Sequence, residues 1–180
     1  MGNRLEDKVA IVTGAGSGIG QATAVRFGEE GARVVIADMD EASSRETQSG
    51  IEAAGGESEI IPTDVAGVDQ VERLMKNTLD RFGRVDILVN SAATLINTPL
   101  LQDTEESDWD RMMEVNLRGT FLCCKYVLPA MSDGGGGTIV NLAAMSAYRG
   151  PTPSIPYEVA KAGVIHLTKA SAYQYTPLGI

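Results

Sequence analysis

Five short apolar runs, each followed by a segment long enough to cross back over a sheet, constrain this chain more than any other feature. The runs are KVAIVTG at 8–14, ARVVIAD at 32–38, SEIIPTDV at 58–65, VDILVNSA at 85–92 and GTIVNLAA at 137–144. Their Val, Ile and Leu are continuous rather than alternating, the pattern of strands covered on both faces. Helical segments fall roughly at 18–30, 40–54, 69–82, 105–131 and 155–175. Gly31, Gly55, Gly56, Gly83 and the glycines at 134–137 supply stop signals. Strand, helix and strand in repetition imply right-handed crossovers and a parallel sheet with helices on both faces. The predicted fold is therefore α/β, a doubly wound, Rossmann-like, three-layer αβα sandwich, with residues 1–180 as one domain.

Composition removes several function classes. A net charge of −9 argues against nucleic-acid or anionic-membrane partners. No apolar run reaches the roughly 18 residues of a membrane span, and MGNRLEDKVAIV lacks the apolar core of a signal peptide. Gly2 is not followed by the myristoylation pattern, because Glu6 stands where Ser or Thr is needed. Cys123 and Cys124 are helical neighbours that point apart, so they read as small buried hydrophobes in a reducing cytoplasm. The acidic residues show no metal-ligand spacing, so no metal is expected.

TGAGSGIG, at 13–20, lies between the first strand and the first helix. Its spacing is T-G-x-x-x-G-x-G, carried by Gly14, Gly18 and Gly20, with Gly16, Ser17 and Ile19 between them. Glycines at such a junction let the backbone approach a pyrophosphate, and the helix N-terminus offers N–H groups and a positive dipole end. Asp38 ends the second strand and Met39 follows it. A carboxylate there accepts hydrogen bonds from ribose hydroxyls and repels a 2′-phosphate, so NAD is expected over NADP. The competing reading of Asp38 is a cap for the next helix. Tyr157 and Lys161 are four apart and share a helix face, where they can form a proton-transfer pair.

Taken together, these motifs resemble the classical short-chain dehydrogenase/reductase family over nearly the whole chain. The resemblance implies an oxidoreductase that moves hydride between nicotinamide and a secondary alcohol or ketone. It implies that Asp64 and Val65 hold the adenine ring, and that Asn90, Ser91 and Ala92 belong to the cofactor-binding fourth-strand motif. Tyr157 is the implied acid/base, and Lys161 the residue that lowers its pKa and holds the nicotinamide ribose. Asn116 is the implied holder of a relay water. The implied strand order is 3-2-1-4-5, and the implied assembly a homodimer or homotetramer packed through the helices at 105–131 and 155–175. Leu117, Phe121, Leu122, Val164 and Leu167 are the apolar residues named for that contact.

The sequence departs from the family pattern in three places. Ser91 and Ala93 replace Asn and Gly of the fourth-strand motif. Ala144 stands where the family has its catalytic Ser, thirteen residues before the Tyr. Ser146 is a substitute only if the chain bends back, since extended backbone would displace it by about 6.6 Å; Ser154 is a weaker one. Finally, YTPLGI ends the sequence where the family continues into a sixth and a seventh strand, so a longer native chain is expected. Two readings stay open: an NAD-dependent alcohol or ketone oxidoreductase, and a catalytically impaired NAD-binding protein. His166, Trp109, Met112 and Met113 are read as packing residues.

Overall fold

A computed structural model of the chain describes residues 3–98, 100–149 and 154–180. Its centre is β1 (Val9–Thr13), buried at every position. On one side β1 pairs in parallel with β2 (Arg33–Ala37), which pairs with β3 (Glu57–Ile60). On the other it pairs with β4 (Ile87–Asn90), which pairs with β5 (Thr138–Asn141). The parallel, doubly wound sheet is the one that the alternating pattern implies, and its order β3-β2-β1-β4-β5 is the one that the family resemblance implies. Val12 stands opposite both Ile36 and Val89, so the apolar runs stack in register across the sheet.

Two cores flank the sheet. Val12, Val34 and Ile36 face α1 (Gly18–Glu29) and α2 (Glu41–Ala53), where Ala24 and Ile51 are buried. Ile11, Val35 and Leu88 face α3 (Val68–Phe82) and the long path that precedes β5. Leu74, on α3, is fully buried, and an aliphatic side chain so placed contributes about 1.5–3 kcal/mol.

That long path departs from the single helix expected at 105–131. It runs as α4 (Glu106–Met113), a π-helical segment (Glu114–Gly119) and α5 (Thr120–Asp133). One widened turn inside a path that reads as helix throughout lies below what a hydrophobic-spacing reading resolves. After β5 the chain makes a short helix, α6 (Ser146–Arg149), within a stretch otherwise read as the strand's end and a loop. It then enters α7 (Ile155–Tyr175), whose bounds match the expected ones. At Gly163, α7 comes close to the π segment: a Cβ there would lie 2.8 Å from Leu117 Cδ2.

The outer strands are less covered than their apolar runs suggest. β3 ends at Ile60 rather than running on to Val65, and Glu57 is exposed. In β5, Ile139 and Asn141 are half-buried while Thr138 and Val140 are exposed. Position at the margin of the sheet, which composition does not encode, accounts for both differences. Among the described residues no helix is long and apolar enough to cross a membrane.

Candidate cofactor and proton-transfer site

The site forms at the carboxyl ends of the strands, around the point where β1 hands the chain to α1. Gly14 has φ 65°, and a Cβ on it would sit 2.7 Å from Ala92 Cα, so only glycine fits between the two loops. A Cβ on Gly20 would lie 2.1 Å from the Gly14 carbonyl oxygen, which explains the glycine inside the first turn of α1. Gly18, at φ 55°, meets nothing within 4 Å and leaves the mouth of that turn open. The Thr47 hydroxyl donates to the Ala15 carbonyl (2.8 Å) and braces the turn from α2. The Thr13 hydroxyl accepts from the Ser91 and Ala92 N–H groups, both at 3.2 Å, and ties the β4 loop to β1.

Asp38 is not the helix cap. Asp40 caps α2, accepting from the Ala42 and Ser43 N–H groups at 2.9 and 3.3 Å. The Asp38 carboxylate instead accepts from Gly16 N–H (2.8 Å) and Asp40 N–H (3.0 Å), which fixes it at the rim of a cleft of about 510 Å³. Asp38 shares this cleft with Ser17, Gly18, Ile19 and Met39, with Asp64 and Val65, with Ser91 and Ala92, and with Tyr157 and Lys161. A glycine turn at the N-terminus of α1, beside a prearranged carboxylate, fits a dinucleotide.

At the proton-transfer end, α7 places Lys161 Nζ 5.7 Å from the centroid of the Tyr157 ring. Lys161 is 3% exposed, and its ammonium donates to the Leu142 carbonyl (2.8 Å). Burial pulls its pKa below the ordinary lysine value. Asn116 is fully buried in the π segment. Its Oδ1 accepts from Thr94 N–H (3.1 Å), and its Nδ2 donates to the carbonyls of Thr94 (2.8 Å) and Met112 (3.0 Å). The amide thus clamps the loop after β4 onto the helix that lies below Tyr157.

Several expected residues lie behind the cleft rather than on its wall. Gly16 and Gly20 shape the turn through their backbones. The Asn90 side chain turns into the interior, donating to Asn141 Oδ1 (2.8 Å) and toward Cys124 Sγ (3.4 Å). Ala144 is half-buried at the turn into α6, where its carbonyl accepts from Ala147 N–H (3.1 Å). The chain does bend there, and Ser146 heads α6, but its hydroxyl is shut away from solvent and has no partner among the described residues. The Ser154 hydroxyl is buried and donates toward Met112 Sδ (3.3 Å). His166 is exposed rather than packed, while Met112 is fully buried. Thr63, Ala93, Thr94, Arg111, Val115, Leu142 and Ala143 also line the cleft. Sequence spacing carries no sign of Arg111, which arrives from another element by tertiary approach. Among the described residues no cluster of His, Cys, Asp and Glu could hold a metal ion.

Fold and cleft together define a dinucleotide-binding Rossmann-type protein with a tyrosine–lysine pair. Residues 8–180 match the family described as short chain dehydrogenase. An uncharacterized oxidoreductase of Thermotoga maritima is 41% identical over 97% of this chain and 68% of its own length. The (2S)-[(R)-hydroxy(phenyl)methyl]succinyl-CoA dehydrogenase subunit BbsD of Thauera aromatica is 40% identical over 98% of this chain and 70% of its own. The crystal structure of NAD+-bound xylitol dehydrogenase superposes with a TM-score of 0.95 at 31% identity, covering 98% of this chain and 68% of that one. This chain belongs to the short-chain dehydrogenase family, and it spans about two thirds of the length of these relatives.

Proposed function

We propose that this chain carries the cofactor-binding and proton-transfer machinery of an NAD-dependent oxidoreductase acting on a secondary alcohol or ketone. The observation that carries the reading is the placement of Tyr157 and Lys161 in the same cleft as Asp38 and the glycine turn. NAD, when bound, supplies the hydride acceptor. The chain's own residues do the rest. The α1 N-terminus faces the pyrophosphate, Asp38 takes the adenosine ribose hydroxyls, and Met39 flanks the adenine that Asp64 and Val65 hold.

Tyr157 receives the alcohol proton in oxidation and returns it to a carbonyl in reduction. Lys161, one helical turn along α7 with its Nζ 5.7 Å from the Tyr157 ring centroid, stands beside that proton transfer. Lys161 is held for this by the Leu142 carbonyl, and burial makes its own proton easier to release. Both Asn116 amide hydrogens are used by Thr94 and Met112, and its backbone carbonyl accepts from the Thr120 hydroxyl (3.0 Å), so a relay water at this residue would use a second lone pair of one of its two oxygens.

A second reading, an NAD-binding protein with little turnover, is favoured by one observation: Ala144 at the position of the family's serine. The buried thiols suit a reducing cytoplasm under either reading. Burial pushes Cys124 up to about 11 and Cys123 higher still, so neither is a ready nucleophile.

Titration with the two dinucleotides tests the proposal. NAD is expected to bind at least about tenfold more tightly than NADP, a difference of about 1.4 kcal/mol. Equal dissociation constants would overturn the assignment of Asp38.

A further inference from the structure

At the adenosine end of the cleft, a cation and a helix path converge on one loop. We infer that Arg111 is a positioning residue that sets the Asp64 carboxylate for the exocyclic amino group of adenine. The inference rests on the NAD reading above and names a device within the same site.

The loop begins where β3 leaves the sheet. The Asp64 N–H donates to Gln70 Oε1 (2.8 Å), and the Asp64 carbonyl accepts from Gly67 N–H (3.0 Å). One carboxylate oxygen, Oδ1, accepts from Ala66 N–H (2.9 Å). The other, Oδ2, lies 3.6 Å from Arg111 Nη1, and both residues line the cleft. At that separation the pair is a Coulombic contact rather than a hydrogen bond: it draws Oδ2 toward α4 and leaves that oxygen room for a further donor.

The arginine comes from α4, and the same helical path holds the loop twice more. Arg118 Nη1 donates to the Ala66 carbonyl (2.8 Å). Gly119 lets the loop press against the helix, since a Cβ there would lie 2.7 Å from Val65 Cγ2. The loop is thus fixed by its own turn, by α3 through Gln70, and by the α4–π–α5 path. Among the described residues outside the loop, Arg111 is the one that reaches the carboxylate, on the oxygen that the Ala66 N–H does not hold. A half-exposed pair contributes little to stability, so the consequence of this contact lies in where it holds the oxygen.

Adenine presents an N–H donor at its 6-position, whereas hypoxanthine presents a carbonyl acceptor there. A carboxylate held to meet the amine favours NAD over nicotinamide hypoxanthine dinucleotide. General damage to the cleft lowers both affinities together, so their ratio reports the carboxylate's placement.

The experiment measures dissociation constants of both dinucleotides for the wild-type chain, Arg111→Met, Arg111→Lys and Asp64→Ala, with melting temperatures for each. Wild type is expected to prefer NAD by about tenfold. Arg111→Met is expected to lose most of that ratio at an unchanged melting temperature, Arg111→Lys to keep most of it, and Asp64→Ala to abolish it. An Arg111→Met protein with the wild-type ratio would overturn the inference, as would a wild type that does not distinguish the two. Failure of the wild type to bind either dinucleotide would instead overturn the cofactor reading on which it rests.

Discussion

Position 144 holds a methyl group where the family resemblance places a hydroxyl. On the proposed reading, a hydroxyl there would donate to the substrate oxygen as charge builds on it. Loss of one such prearranged donor costs roughly 3–4 kcal/mol, or about 10²–10³ in rate. Ala144 is half-buried at a turn already closed by its own carbonyl and Ala147 N–H, so a serine side chain adds one oxygen without remaking the backbone. Ala144→Ser is expected to raise kcat on a panel of secondary alcohols by about 10²-fold. Unchanged turnover with NAD still bound would show that the missing hydroxyl does not limit the site. A parallel Ser146→Ala protein then asks whether that buried hydroxyl, without a partner among the described residues, already serves; a further fall in turnover would show that it does.

The elements differ in how plainly the sequence announces them. The bounds of α7 are legible because Pro156 lies in its first turn and Pro177 lies just beyond its end. The glycine turn is legible because steric demand at Gly14 and Gly20 leaves one residue type at fixed spacing. The π segment is hidden, since it changes backbone hydrogen bonding over one turn of a path that reads as helix throughout, yet it carries Asn116 to Thr94. Arg111 and Thr94 are hidden for another reason: their roles come from long-range approach. The end of α1 shows a further device of this kind. Glu30 is buried at the C-cap, where a helix dipole disfavours a carboxylate. It is neutralised by Arg26 and by Arg4 Nη2 (2.9 Å), and Leu5 N–H donates to its carbonyl (2.9 Å), which straps the N-terminal segment to the helix. The Arg4 hydrogen bond leads the causes that hold its pKa down to about 2, against an ordinary value of 4.5. A lowered folded-state pKa adds stability that is present above the unfolded value and lost as pH falls through the folded one. Between pH 5 and about pH 2 the wild-type melting temperature is therefore expected to fall further than that of Glu30→Gln. Parallel curves in thermal denaturation would rule this out.

At the scale of the molecule, the apolar residues of the two long helical paths divide into two sets. Leu122 and Val164 are spent in the core. Met113, Leu117, Phe121 and Leu167 instead line an outward groove, edged by Asp110, Glu114 and Arg118. Phe121 keeps 44% of its surface exposed, more than a core residue would. A rim carrying both charge signs suits a two-fold copy of itself, because rotation can set the arginine of one copy against the carboxylates of the other. With a net charge of −9, two copies repel at long range, so close association needs an apolar contact such as this groove. The chain is therefore expected to sediment as a dimer at micromolar concentration. Phe121→Asp would place an unpaired carboxylate in the buried contact, a cost of several kcal/mol, and shift the species to monomer. Phe121 lies outside the cofactor cleft, so NAD affinity is expected to stay within about twofold of wild type, well under 1 kcal/mol. A monomeric wild type would remove the groove from consideration as a dimer contact. A variant that loses NAD affinity as it dissociates would show instead that assembly shapes the cleft, through the π segment that carries Asn116 and runs into α5 just before Phe121.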